Sequence, residues 1–241
     1  GFLIGATAGR TTLNGEGLQH QDGHSHILAN TIPNCKSYDA TYAYELAVII
    51  QDGLERMYGK KENFFYYITT MNENYNHPSI PEGVEQGIIA GVYKVDSTKL
   101  TKNKKKSFNV NLMGAGTILH EVIAASKILA DDYSITSDIW SLTSINELVR
   151  DGQEIDRWNM LNPEKNKKMA YIERILEDSN GPFVIATDYM KSYGEQLRKY
   201  IPDDLHVLGT DGFGRSDSRE TLRNFFEVDR YFIVIATLNI L

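Results

Sequence analysis

The second half of the chain follows one rule. A short apolar, β-branched run is followed by a glycine-containing or polar turn, then by an amphipathic stretch, and the cycle repeats. "FNVNLMGAG" precedes "TILHEVIAASKILADDY", "SDIWSLTS" precedes "INELVRDGQEIDRWNML", and "GPFVIATD" precedes "YMKSYGEQLRKYI". "DLHVLGTDGFGRSDS" then leads into "RETLRNFFEVD", and "RYFIVIATL" reads as a last strand. Runs of this kind, buried on both faces and separated by helical crossovers, predict a mostly parallel sheet covered on both sides.

The first half reads as the later part of a similar α/β unit. "FLIGATAG" predicts a buried strand, and the glycine-punctuated segment from Arg10 to His26 predicts a loop. Gly15, Gly17 and Gly23 would each weaken a helix there by about 1 kcal/mol relative to alanine. "TIPNCKSYDA" reads as a second connection. Thr41 to Tyr58 shows helical spacing, with Tyr44, Val48, Leu54 and Met57 near one stripe. "NFFYYITT" predicts a strand, the stretch around Pro78 and Pro81 a loop, and "VEQGIIAGVYKVD" a short helix passing into a strand. The basic run "KNKKK" at 102 to 106 reads as a solvated linker, which puts the boundary between the units, 1–106 and 107–241, at its end. The chain opens on glycine directly into an apolar run and closes on another, as expected of a piece of a longer polypeptide.

Composition excludes several classes. With 241 residues, 41% apolar and 24% charged, the chain has enough apolar content for folded cores. A net charge of −7 opposes general nucleic-acid binding, which needs a basic face. A single cysteine, Cys35, rules out an internal disulfide framework and reads as a small buried residue. No apolar stretch approaches the roughly 20 residues of a membrane-spanning helix, and the opening lacks the shape of a signal peptide. Together these point to a cytoplasmic protein without membrane or nucleic-acid partners.

Three segments carry candidate chemistry. "LMGAGTILHE" sets G-x-G between a strand and a helix, but Leu119 stands where a dinucleotide fingerprint needs a third small residue, so a tight structural turn is favoured. "GTDGFGRSDSRE" either lies at a strand's carboxyl end as a ligand or subunit loop, or caps the next helix through Ser216, Asp217 or Ser218. "TLNGEGLQHQDGHSHI" is the richest, with His20, His24 and His26 beside Glu16 and Asp22. A histidine-bound metal, a plain exposed loop and an active-site loop all remain open. The glycines oppose the helical presentation that zinc peptidases use. So many histidines favour a wall of proton donors and electrostatic clamps.

The segments "GRTTLNGEGLQHQDGHSHI", "IPNCKSYDATYAYE", "DGLERMYG", "YYITTMNENY", "RDGQEIDRWNML", "ATDYMKS" and "LGTDGFGRSDSRE" closely resemble the homodimeric, bacterial-type pyruvate dehydrogenase family, in order and over essentially the whole chain. That resemblance implies a transketolase-like architecture: the later part of a thiamine-diphosphate pyrimidine-binding domain, then a transketolase-type C-terminal domain. It implies thiamine diphosphate and Mg2+ as cofactors, with the diphosphate and metal site and the glutamate that starts the cofactor's proton relay outside this chain. It implies a homodimer that decarboxylates pyruvate and passes an acetyl group to the lipoyl-bearing acetyltransferase component. By the same comparison Glu16 and His20 line the active centre as catalytic groups. His24, His26 and Asp22 continue the wall as substrate-binding residues. The chemistry suits the residue types, because a protonated imidazole can hold an anionic keto acid's carboxylate and deliver a proton to a developing alkoxide. Position 21 is Gln where the family commonly has Glu, and His77 sits one residue off the family's usual histidine, so neither is given a role. His120 and His206 read as structural. A non-catalytic dimerisation module on the same fold is the alternative.

Overall fold

The computed structural model describes residues 1–6, 8–100 and 108–241, and the basic run at 102 to 106 lies outside the described residues. Two sheets organise the described residues. The first has the order β1-β3-β2, all parallel, from β1 (Phe2–Ala6), β2 (Cys35–Asp39) and β3 (Phe65–Thr70). The second has the order β4-β6-β5-β7-β8, from β4 (Val92–Ser97), β5 (Asn109–Gly114), β6 (Thr136–Leu142), β7 (Phe183–Ala186) and β8 (Leu205–Leu208). It is parallel except for β4, an antiparallel edge strand beside β6. The strand β4 precedes residue 106, yet its hydrogen-bond partner is β6 of the second sheet.

Helices cover both faces of the second sheet, as the strand–helix alternation requires. On one side Val110, Leu112, Ile139 and Val184 pack under α4 (Ile118–Tyr133), α8 (Arg219–Phe225) and α9 (Arg230–Ile240). On the other, Met113, Trp140, Phe183 and Ile185 meet α5 (Ile145–Leu161), α6 (Tyr171–Ile175) and α7 (Lys191–Glu195). The first sheet packs Tyr38, Tyr66 and Ile68 against Ile49 of α2 (Ala43–Leu54) and Ile88 of α3 (Glu85–Ala90), and α2 runs on into a π-turn at Glu55–Gly59. The segment from Ser25 to Asn30 forms α1.

Three segments depart from the reading of the sequence. β1 is an edge strand of this sheet, with Leu3 58% and Ile4 48% exposed, rather than a buried one. "CKSYD", read as connection, is β2 and is buried at every position. "RYFIVIATL", read as a last strand, is α9. Its β-branched residues favour a strand by propensity, but tertiary context wins. Asp229 caps the helix by accepting from the amides of Tyr231 (2.9 Å) and Phe232 (3.0 Å), and the buried positions Ile233, Val234, Ala236 and Thr237 make one helical face against α4.

The two units meet through a polar seam. The amide of Asp39 donates to the Thr143 carbonyl (2.8 Å), Ser144 Oγ to the Ser37 carbonyl (2.6 Å) and Asn146 Nδ2 to the His26 carbonyl (2.7 Å). Lys36 and Glu147 form an ion pair across it, each side chain 11% exposed. Buried Glu45 accepts from the amides of Thr41 and Tyr42 and from the hydroxyls of Tyr93 and Ser141, so every bond that its desolvated carboxyl needs is made.

Candidate active site

The histidine-bearing segment runs along the carboxyl side of β1. Its start is not an exposed loop: Arg10, Thr11, Thr12 and Leu13 are buried. A 3₁₀ turn, Leu18–His20, then carries His20 to the surface. Asp22 organises the start of α1. Its Oδ1 accepts from the amides of His24 and Ser25, both 3.0 Å, and its other oxygen accepts from the Ser25 hydroxyl. A short polar side chain that satisfies free amides at a helix start explains why α1 begins at this point despite the glycines before it.

A cleft of about 460 Å³ opens between β1 and this segment. His20, Asp22, His24, Gln19 and Tyr67 line it, with Gly5 and Ala6 of β1 as its apolar side. Gly5 lets Tyr67 close on the strand, because a Cβ would lie 2.7 Å from the Tyr67 hydroxyl and push that ring aside. Two imidazoles and several polar donors around a small open cleft suit an anionic molecule of few atoms. Glu16 is exposed and lies outside the lining.

His26 is not at the surface of this cleft. It is fully buried behind it, its ring stacked on Tyr193 (5.3 Å) and edge-on to Tyr189 (4.7 Å). Its Nε2 contacts Thr69 Oγ1 at 2.9 Å, and the Thr69 hydroxyl donates to Asp39 Oδ1 at 2.7 Å. Burial pushes the His26 pKa down to about 4, so at neutral pH it is an uncharged imidazole. Burial pushes Asp39 up to about 8, against the opposing bond from Thr69, so its carboxyl is protonated at neutral pH. Among the described residues, His26 Nδ1, Asp39 Oδ2 and the hydroxyls of Tyr189 and Tyr193 are buried polar atoms that find no hydrogen-bond partner.

Asp188, at the carboxyl end of β7, accepts from the Thr11 amide at 3.1 Å through both oxygens. Burial raises it to about 6, opposed by the nearby charge of Arg223. Arg223 is itself tied to Glu73 and lies 3.6 Å from Glu121, which Arg230 Nε also engages at 2.9 Å. These pairs fasten α8 and α9 to the first unit and to α4, leaving their charges matched.

The structure thus brings His20, Asp22 and His24 together at one cleft, sets Glu16 outside it and puts His26 in the layer beneath. The glycine-rich segment bears out its reading as the cap of the following helix. Ser218 Oγ accepts from the Thr221 amide at 3.2 Å and caps α8, while the Gly15 amide donates to the Asp217 carbonyl at 2.9 Å, joining the segment to the histidine loop. In the G-x-G turn, Gly116 has φ +52° and a Cβ there would lie 2.6 Å from Asp39 Oδ2. The turn admits Asp39, in keeping with its structural reading. His77 Nδ1 accepts from the Ala43 amide at 3.1 Å at the start of α2. Sequence reasoning missed Arg10, Asp39, Thr69 and Asp188. Asp39, Thr69 and Asp188 share a readable signal, since each stands at the carboxyl end of a parallel strand, where sites in such sheets gather.

Residues 91–229, more than half of the chain, match the transketolase-like TK C-terminal domain. The chain belongs to that family. Residues 1–78 match the pyruvate dehydrogenase E1 component middle domain. The pyruvate dehydrogenase E1 component of Pseudomonas aeruginosa is 57% identical over 242 residues, taking in 100% of this chain and 27% of its own length. That of Buchnera aphidicola from Acyrthosiphon pisum is 60% identical over 243 residues, with the same coverage, and that of Escherichia coli K12 is 59% identical over 240, or 26% of its length. The chain therefore spans about a quarter of these relatives. In fold it is similar to a transketolase variant from Pichia stipitis, with a TM-score of 0.66 at 13% identity, covering 99% of this chain and 30% of that one. A split-gene transketolase chain described as an inactive β4 tetramer gives a TM-score of 0.60 at 14% identity, and this chain covers 65% of it. The resemblance carried by the motifs and the transketolase-like α/β fold both stand.

Proposed function

We propose that this chain is the part of a pyruvate dehydrogenase E1 component that walls the keto-acid end of its active site. The observation that carries the reading is identity of 57–60% along the whole chain to enzymes of that name. The reaction of the whole protein is the decarboxylation of pyruvate and the transfer of its two-carbon remainder to the lipoyl group of the acetyltransferase component, in a homodimer of the bacterial cytoplasm. Thiamine diphosphate, held with Mg2+ by other parts of the protein, supplies the nucleophilic carbon and the electron sink. Among the described residues no group of three or more His, Cys, Asp or Glu side chains is placed to hold a metal ion.

Within that reading, His20 and His24 hold the carboxylate of pyruvate, and His20 supplies a proton to the oxygen of its carbonyl as charge develops there. Glu16, at the surface four positions before His20, is the carboxylate that keeps His20 oriented in the assembled protein. Asp22 holds the amides under His24, and neutral His26 fixes the layer beneath. The domain boundary belongs to the same proposal: the pyrimidine-binding unit ends, and the C-terminal unit begins, at the linker closing at residue 106.

The isolated 241 residues are expected to show no pyruvate-dependent reduction of an artificial acceptor. In the full-length protein, His20→Ala is expected to lower kcat/KM for pyruvate by roughly 100-fold or more, the usual scale for losing a positioned proton donor. Turnover by the fragment alone, or an unchanged rate in the His20 variant, would overturn the reading, and the second result would favour a non-catalytic dimerisation module.

A further inference from the structure

Arg10 is a charged side chain held inside the protein, only 2% exposed, and it takes no part in the proton transfer assigned to His20. Burying a guanidinium is costly unless its donors and charge are matched. Its Nη1 donates to the carbonyl of Gly212, in the glycine-rich segment after β8. Asp188, Asp22 and Asp211 supply the surrounding negative charge, while burial itself lowers the arginine's pKa. Its Nη2 lies 3.4 Å from both ring nitrogens of His24. This nitrogen is thus shared between the two ring nitrogens and not directed at one of them. The same group faces the ring of Phe226 at 5.9 Å.

The backbone has been shaped around this side chain. Gly23, between Asp22 and His24, has no room for a Cβ, which would lie 2.2 Å from Arg10 Nε. Gln21 makes a second link: with its amide nitrogen turned inward it donates to the carbonyls of Arg10 and Arg215, the latter at 3.1 Å. Gly214 must likewise lack a side chain, because its Cβ would lie 2.3 Å from Gln21 Cβ. Arg219 Nε donates to the Thr12 carbonyl at 2.6 Å. Residues 10–24 of the first unit and 212–219 of the second are therefore interlocked, with Arg10 beneath the imidazole that lines the cleft.

We propose that Arg10 is a positioning residue, whose buried guanidinium braces His24 against the glycine-rich segment and so ties the shape of the cleft to the C-terminal unit. The inference rests on the reading of the cleft as the keto-acid site. Arginine is required because one terminal nitrogen of its fork meets the imidazole while the other reaches the carbonyl, and the single ammonium of lysine cannot hold both in this geometry.

The test uses the full-length protein carrying R10K, with Gly23→Ala as a second perturbation that displaces the guanidinium without removing it. Two readouts are taken: steady-state kinetics with pyruvate, and hydrogen exchange of the amides in 20–26 and 209–219. Both variants are expected to raise KM about tenfold with kcat within about threefold, since the lost contact serves the bound ground state and the transition state alike. Exchange in both segments is expected to quicken at least about tenfold while α4 is unchanged. Unchanged exchange, or faster exchange with unchanged KM while H24A raises KM, overturns the brace. If H24A also leaves KM unchanged, the cleft reading fails instead, and the exchange data alone decide whether Arg10 holds the segments together.

Discussion

Replacing Asp39 with asparagine isolates the buried proton of the layer beneath the cleft. Asn keeps an oxygen to accept from Thr69, which donates at 2.7 Å, and its amide takes the place of the unpartnered Oδ2. The folded protein holds a proton on Asp39 up to about pH 8, where the unfolded chain releases it near 3.8. His26 behaves oppositely: folded it stays neutral down to about pH 4, while unfolded it takes a proton near 6.5. Between pH 4 and 6.5 folded and unfolded chains thus carry the same number of protons on this pair, and its contribution does not change with pH. From 6.5 to 8 the folded state holds one proton more, so stability falls by about 1.4 kcal/mol per pH unit, or about 2 kcal/mol over the window. In D39N that loss disappears and the histidine limb is uncovered: stability is flat from 6.5 to 8 and falls as pH drops from 6.5 towards 4. For a chain of this size about 2 kcal/mol corresponds to roughly 4–8 °C in Tm. Thermal unfolding of both proteins at half-unit pH steps gives the comparison, with all other groups cancelling in the difference. Parallel curves for D39N and the parent between pH 5 and 8 would show that Asp39 is ionised in the fold, and the account of this layer would be wrong.

Local geometry sets two further outcomes. Asp229→Ala removes the acceptor for the amides of Tyr231 and Phe232 and is expected to cost about 1 kcal/mol, with faster hydrogen exchange in the first turn of α9; exchange like that of the parent would deny the cap. Gly116→Ala combines a φ of +52° with a Cβ 2.6 Å from Asp39 Oδ2. It is expected to cost about 1–3 kcal/mol in chemical denaturation, and a variant as stable as the parent would show that the turn has room to spare.

Hydrophobic pattern made the second unit legible because its central strands β5 and β7 carry apolar residues on both faces. Val110, Leu112 and Met113 of β5 are buried whichever way they point, and the helices that cover them keep a 3.6-residue stripe. The same logic failed where burial is polar. Lys36, Ser37 and Asp39 give β2 no apolar signal, yet the strand is buried because the other unit answers it: Glu147 pairs with the Lys36 side chain, Ser144 donates to the Ser37 carbonyl and the Thr143 carbonyl accepts from the Asp39 amide. That complement lies more than a hundred positions away and cannot be read locally. Failure in α9 has the opposite origin. Its β-branched run says strand, and what overrules it is a cap at Asp229 and the waiting face of α4.

The candidate site divides along the same line. Its histidines stood out by type and spacing, since residues that titrate near neutrality are rarely crowded without use. What each does was not legible, because that depends on depth. His24 faces the cleft and His26, two positions on, turns into a layer where it cannot hold a charge at neutral pH. Helix start α1 forces this separation: once Asp22 has fixed the amides of His24 and Ser25, residues 24 and 26 must leave the backbone in different directions. A carboxylate at position 22 therefore does more by setting where the imidazoles point than it would as a ligand for an anion, which its charge would repel. Glycine at 23 reflects the same constraint, since the packing that aims His24 brings Arg10 too close for any side chain there.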